Sequence, residues 1–315
     1  MTINRVLLLG GSGFIGGSVA QQLSAEGIFV MVPTRVLTRA NHLLALPKVN
    51  VVEANVFRAA ELEALVRDHD AVINLAGILH GDFERVHVGF PKLVAEACVK
   101  FGVSRLIHMS ALNADVNGPS LYLRSRGRGE AAVWAVAGTN PSLSVTMFQP
   151  SVVFGERDKF LNLFAQLMKT FPLMPLGSPN AQFQPVWVED VARAIVMSLN
   201  RAEEKGKTYS LVGPKVYTLR ELLEFVAFVT GRRSLIVGLG PTLSMLQATA
   251  FGMLPGKVIT PDNVRSMRMP STSDRPFPAQ FGGAAAMEDV VSAYLAPDIA
   301  GRIAKYQQPS NTTQK

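Results

Sequence analysis

The run Gly10-Gly-Ser-Gly13-Phe-Ile-Gly16 restricts the fold more than any other part of the chain. It follows the apolar stretch Arg5–Leu9 and precedes Gly16–Glu26, around which Ile15, Val19 and Leu23 recur at helical spacing. A buried strand that turns through glycines straight into a helix implies three things. The turn is tight, the backbone is bare enough for an anionic group to approach, and the helix packs closely on the strand. The helix start adds N–H groups and a favourable dipole for phosphate. Gly10, Ser12, Gly13, Phe14, Ile15 and Gly16 are therefore candidate phosphate contacts. The plainer alternative is a glycine turn with no ligand, and the rest of the chain must decide between them.

The context repeats strand and helix in alternation. Ile28–Val32, Val49–Val56, Asp70–Leu79 and Arg105–Ser110 read as strands, and a sixth strand lies within Leu143–Phe154. Between them Ala59–His69, Phe83–Phe101 (kinked near Pro91) and Leu121–Ala137 read as helices. Strict alternation with right-handed crossovers gives an α/β fold: a doubly wound parallel sheet of the Rossmann type. After Gly155 the rhythm changes. Phe160–Lys169 is helical, and Pro172, Pro175, Gly177 and Pro179 mark a loop-rich stretch. Val186–Leu199 is a strand end and helix, Thr208–Val212 a strand, Leu219–Thr230 a helix and Ser234–Leu239 a strand. The expected organisation is a dinucleotide-binding domain over 1–155, a mixed region over 156–306 with returning sheet elements and a small cap domain, and a polar tail over 307–315.

Composition removes several function classes. With 315 residues and 48% hydrophobic content the chain can bury a core, and disorder is excluded. Cys98 is the single cysteine, so neither a disulfide framework nor a cysteine-rich zinc site is available. The five histidines show no metal-ligand spacing, and no metal is expected. His87 and His108 read as packing or helix-end residues, and Glu189-Asp190 as a charge pair opening a helix. The net charge of +7 could suit a polyanion, but the basic residues are dispersed. Their densest run, Arg124, Arg126 and Arg128, has no interleaved aromatics, so nucleic acid is not an expected partner. The N-terminal apolar run is broken by glycines too early for a secretory signal. Ser234–Gly256 carries no charged residue and is long enough to span a bilayer, yet Gly238, Gly240, Pro241, Gln247 and Pro255 interrupt it. It reads as a strand followed by a buried or surface-lying helix. The functional alternative is peripheral contact with a membrane surface.

The end of the second strand decides the type of dinucleotide. Sites for NAD(H) place an Asp or Glu there to bind the ribose 2′-hydroxyl. Here the chain reads Val32-Pro-Thr-Arg35-Val-Leu-Thr-Arg39, without a carboxylate. Arg35 and Arg39 can meet a 2′-phosphate with charge-assisted hydrogen bonds, which favours NADP(H) and leaves NAD(H) possible. The competing reading makes both arginines solvated loop residues.

These residues resemble the extended and atypical short-chain dehydrogenase/reductase superfamily, the group of NAD-dependent epimerase/dehydratase-like proteins. The glycine loop matches its GxxGxxG form. Asn55-Val56 is similar to its Asp-Val adenine contact, and Asn74-Leu75-Ala76-Gly77 to its turn beside the cofactor. Tyr122-Leu-Arg-Ser-Arg126 stands where Tyr-x-x-x-Lys is expected, and Gln149-Pro150-Ser-Val152-Val-Phe-Gly155 resembles the segment that passes the nicotinamide. Phe183-Gln-Pro-Val-Trp-Val-Glu-Asp190 resembles a strand–helix entry of extended members. The subgroup most similar is that of the nucleotide-binding accessory subunit of respiratory complex I.

The resemblance implies hydride chemistry with Tyr122 as general acid/base, Arg126 beside it and Ser110 as the hydroxyl partner. Tyrosine is a poor base near neutrality, with an ordinary pKa of about 10, and the family lowers it with a lysine one helical turn later. Arginine carries the same charge on a longer planar fork, so Tyr122 and Arg126 can equally be holders of the ribose alone. Ser110 is the only hydroxyl in His108-Met-Ser-Ala-Leu, while many extended members carry theirs one or two residues later. The expectation is an accessory NADP(H)-binding protein with weak or absent catalysis. The alternative is an oxidoreductase, epimerase or dehydratase using Tyr122, on a quinone- or isoprenoid-related substrate. A respiratory or quinone-related protein partner and a cytoplasmic location, peripheral at the inner membrane face, complete the expectation.

Overall fold

The computed structural model describes residues 3–253 and 259–295. The polar tail expected over 307–315 and the last turn of the uncharged Ser234–Gly256 segment lie outside the described residues.

A seven-stranded parallel sheet runs through the molecule, built from β1 (Arg5–Leu9), β2 (Phe29–Thr34), β3 (Val49–Glu53), β4 (Ala71–Asn74), β5 (Arg105–Met109), β6 (Ser144–Pro150) and β7 (Lys207–Leu211). Its order is β3-β2-β1-β4-β5-β6-β7. Val6 of β1 pairs with Val30 of β2 on one side and with Ala71 of β4 on the other. The strand order therefore reverses beside β1, which opens a crevice at the carboxyl ends of β1 and β4. The glycine loop lies in that crevice.

Both faces of the sheet are covered, so β1 is apolar at successive positions rather than alternately. Val6 and Leu8 pack with Val19 and Leu23 of α1 (Phe14–Ala25) and with Val191 and Ile195 of the helix Val188–Leu199. Leu7 and Leu9 pack the other way. They meet Leu62 of α2 (Ala59–Val66), Val94 and Cys98 of α3 (Phe90–Lys100) and Val133 of α4 (Leu121–Thr139). A further apolar cluster joins α5 (Leu161–Thr170), α7 (Leu219–Val229) and α10 (Met287–Leu295) around Phe154, Leu161, Leu222 and Phe225, with Val188–Leu199 numbered α6. Short strand pairs link this part to the sheet: Val153–Phe154 beside Val186–Trp187, and Leu173–Leu176 beside Leu235–Gly238.

Several elements differ from the sequence reading, each for a local reason. The expected helix Phe83–Phe101 is two pieces. A π-helical turn, Glu84–Gly89, leads into α3, with Pro91 in the first turn of α3. The backbone stays helical through the junction, with Gly89 at φ −63° and ψ −44°, so the π turn is where the helix takes in a proline that has no N–H to donate. Leu37–Leu43 forms a 3₁₀ helix between β2 and β3. The proline-rich stretch contains the strand Leu173–Leu176, which accepts Pro175 because it has a single neighbour. β3 and β4 stop at Glu53 and Asn74, short of the expected ends, because their last residues turn into the crevice. Glu189 and Asp190 do open α6, but each also ties two elements. Glu189 accepts from Ser18 Oγ (2.6 Å) and Gln22 Nε2 (2.9 Å) of α1. Buried Asp190 pairs with Arg193 (2.7 Å) and accepts from the Ala285 N–H (2.7 Å).

Candidate functional site

The glycine loop has the geometry its sequence implies. Gly10 sits at φ +82°, in the left-handed region that favours glycine. A side chain on it would also meet the Leu75 and Ala76 backbone at 3.0–3.1 Å, so the loop touches the carboxyl end of β4. At Gly16 a Cβ would strike the Gly10 carbonyl oxygen and lie 2.5 Å from Gly11 Cα, so α1 is seated on the loop by backbone contact alone. The N-cap of α1 is Gly13, no side chain caps the helix, and no acidic residue lies in its first turn. The first-turn N–H groups thus have neither a helical partner nor a side-chain acceptor, which is the arrangement that receives phosphate. Phe14 turns toward Gly155, while Ile15 packs against the sheet core.

Next to the loop, Ser12, Arg35, Arg39 and Val56 line one cavity of about 370 Å³, together with Thr34 and Val36. Among the described residues, no carboxylate lines it. The structure thus brings the two arginines together in one cavity beside the glycine loop, and the 3₁₀ helix Leu37–Leu43 is what carries Arg39 there. Asn55 opens the turn after β3 at the edge of this cavity. Its Oδ1 accepts from the Phe57 N–H (3.3 Å) and its own N–H donates to Glu61 (2.6 Å), so its side chain shapes the turn and leaves Val56 at the cavity wall.

On the other side of the crevice, Asn74 ends β4. Its Oδ1 accepts from the Ala76 N–H (3.1 Å) and its amide lies 3.2 Å from His108 Nδ1. Leu75 and Ala76 pass Gly10, and Gly77 passes Arg126 so closely that a Cβ would fall on the guanidinium. Arg126 Nη1 donates to the Met109 carbonyl (3.2 Å), and its guanidinium carbon sits 5.4 Å from the centre of the Tyr122 ring. Tyr122 and Arg126 therefore share one face of α4, as their spacing requires. Ser110 is buried at the end of β5 and faces the Glu130 carboxyl, which Gln149 holds at 2.7 Å. Burial pushes the Glu130 carboxyl up, against the opposing pull of Gln149, Ser110 and Arg126. Pro150 is buried at the end of β6 and accepts from the Leu112 N–H; Val152 continues from it toward the cluster around Phe154 and Leu222.

Four contributors escaped the sequence reading. His87, on the π turn, accepts from the Ile78 N–H through Nε2 (3.1 Å), which leaves the proton on Nδ1, 2.8 Å from Ser125 Oγ. It thereby ties the Asn74–Ile78 turn to α4. His87 and His108, which read from the sequence as packing or helix-end residues, are both buried and also make polar contacts at this site. Asp262, in α9 (Pro261–Ser266), accepts from the Leu121 and Tyr122 N–H groups (2.8 and 3.0 Å) and sets the start of α4. Arg157 and His42 both lie over Gly17 in the first turn of α1, placing a second cation near the loop. These residues come together only through tertiary contacts, and no local motif marks them.

Burial, and then the charge of Arg126, push His108 down to about 3 from an ordinary 6.5, and His87 shows the same direction and causes. The unfolded chain therefore binds these protons more readily than the folded one. Their contribution to stability is complete above the unfolded value and is lost as pH falls toward the folded one. For His108 the loss reaches about 2 kcal/mol near pH 5. Urea unfolding near neutrality and near pH 5 should show it, with a smaller difference in a His108→Gln protein; an equal difference would remove His108 as the cause.

A second cavity, of about 340 Å³, opens beside the start of α4. It is lined by Leu79, Phe83, Met253, Pro261 and Asp262, among others. The Phe83 ring lies edge-on to Tyr122, with centroids 6.1 Å apart.

Comparison with known proteins agrees with the fold. The chain is 32% identical over 235 residues to the mitochondrial NADH dehydrogenase [ubiquinone] 1 alpha subcomplex subunit 9 of Mus musculus, covering 71% of this chain and 61% of that protein. It is 30% identical over 226 residues to the mitochondrial NADH-ubiquinone oxidoreductase 40 kDa subunit of Neurospora crassa, covering 70% and 58%. The chain thus spans about three-fifths of the length of these relatives. The fold is similar to that of the NADPH-dependent quinone oxidoreductase QOR2 of Escherichia coli, with a TM-score of 0.75 at 15% identity over 92% of this chain and 99% of that one. Residues 6–212, from the first strand past the last strand of the sheet, match the NAD dependent epimerase/dehydratase family, and the chain belongs to that family.

Proposed function

We propose that this chain is an NADP(H)-binding accessory protein in which the dinucleotide holds the fold or an assembly together, with little or no catalysis of its own. The glycine loop and the uncapped start of α1 fit a pyrophosphate, and Arg35 and Arg39 in one carboxylate-free cavity fit a 2′-phosphate. Arg157 would add charge near the pyrophosphate. Asn74–Gly77, Pro150 and Val152 would flank the nicotinamide end. When bound, NADP(H) offers a hydride at that end. The chain's own residues decide whether the hydride is used.

The observation that argues against turnover is at Ser110. The next two positions, where many extended members carry their hydroxyl, are the buried Ala111 and Leu112, and the buried Ser110 Oγ has no hydrogen-bond partner among the described residues that would orient it for proton transfer. Arg126, held by the Met109 carbonyl and set against Gly77, lies over the Tyr122 ring, which suits a fixed wall for the ribose. The similarity to mitochondrial NADH-ubiquinone oxidoreductase subunits supports a respiratory or quinone-related partner.

One observation favours the enzyme reading: the apolar cavity beside Phe83 and Tyr122, which would suit a quinone- or isoprenoid-like substrate with Tyr122 as acid/base. A Tyr122→Phe protein separates the two readings. The accessory role predicts unchanged NADPH affinity and no NADPH oxidation by wild-type protein with a panel of carbonyl and quinone substrates. Turnover by the wild type that falls by about a hundredfold or more in Tyr122→Phe would establish the enzyme instead.

A further inference from the structure

The helix α8 (Pro241–Gly252) combines composition and exposure in a way that soluble helices avoid. It carries no charged residue, yet among its residues only Ser244 and Ala248 are buried. Leu243 and Leu246 are 55% and 65% exposed, on the side away from those two, and Met253 continues the same stripe. Long apolar side chains on an uncharged helix are normally enclosed in a core or by lipid; α8 leaves them open, with Thr242 and Thr249 as its exposed polar residues. Among the described residues, no helix is long and apolar enough to cross a membrane.

The apolar surface extends beyond α8. Gln247 Nε2 donates to the Pro175 carbonyl (2.7 Å) and Ser244 Oγ accepts from the Ser178 N–H (3.2 Å), fixing the helix against the strand Leu173–Leu176. In that strand and its partner, Leu173 and Leu235 are in register and both point outward, more than half exposed. Exposed cations flank this surface at Lys169, Arg232 and Arg233, while the Glu224 carboxylate beside the strand pair lies 3.8 Å from Arg220, which also donates to the Ile236 carbonyl. Among the described residues, none of the three flanking cations makes an ion pair.

We propose that α8 and the outer face of the Leu173–Leu176/Leu235–Gly238 strand pair dock the protein on an anionic phospholipid bilayer, with the leucines in the acyl boundary and the cations at the headgroups. The surface supplies long aliphatic side chains and flexible cations, without a polar centre to set a register. That pattern matches a fluid interface better than a fixed protein partner.

The test is co-sedimentation of the full chain with vesicles of phosphatidylcholine alone and of phosphatidylcholine mixed with phosphatidylglycerol, at low and high salt. Pelleting with the anionic vesicles, weakened by salt, is expected. Leu243→Glu with Leu246→Glu should reduce it at least about tenfold, and Arg232→Ala and Arg233→Ala about fivefold each, with thermal unfolding unchanged. Leu235→Ser gives a second readout from a different element should the helix variant fail to fold. No pelleting with anionic vesicles overturns the proposal, and so does pelleting that none of these substitutions alters. Wild-type protein that ignores vesicles but dissociates from dimer to monomer on the leucine substitutions would assign the face to a second copy of the chain, and the proposal would fail.

Discussion

A Gly16→Ala protein is expected to lose dinucleotide binding and to be destabilised by about 3 kcal/mol, the upper range for forcing atoms into a packed site. The new methyl group would strike the Gly10 carbonyl and the Gly11 backbone, neither of which can swing away as a side chain end does. Relief requires α1 to lift from the loop. That lift would move the first-turn N–H groups off the phosphate position and loosen Val19 and Leu23 from the core. Gly138→Ala is the matched control. It lies near the end of α4 with open space around it, so alanine should be neutral or stabilise by about 0.5–1 kcal/mol. Urea unfolding and a fluorescence titration with NADPH read both variants. Normal binding by Gly16→Ala would mean that helix and loop are not coupled as described.

The second large effect concerns selectivity. Replacing Arg35 and Arg39 together with alanine should weaken NADPH by roughly a hundredfold, since a charge-assisted hydrogen bond contributes about 1.5–3 kcal/mol. NADH, which lacks the 2′-phosphate, should change by no more than about threefold. The reasoning rests on the cavity. Among the described residues its walls hold two cations and no carboxylate. Equal losses for the two nucleotides would return both arginines to the status of general surface charge.

Much of this was legible along the chain because it is local. The strand–glycine–helix run, the alternation of elements, the missing acidic residue after β2 and the Tyr122–Arg126 spacing are all readable within a few residues. What was not legible depends on where distant segments meet. The π turn at Glu84–Gly89 keeps helical apolar spacing, so it reads as part of one helix bent by Pro91. His87 looks like a packing residue until its ring is seen bridging Ile78 and Ser125. Asp262 sets the start of α4 from 140 residues away, and Arg157 reaches α1 from beyond β6. The uncharged Ser234–Gly256 segment was legible as a strand and a helix, but only the fold shows that α8 faces outward.

The central claim is that the site holds NADP(H). The most direct measurement is the identity of the nucleotide released when the purified protein is denatured, read by mass spectrometry. The arrangement of Gly10, Gly16, Arg35 and Arg39 predicts NADP⁺ or NADPH. Release of NAD(H), or of no dinucleotide at all, would contradict it.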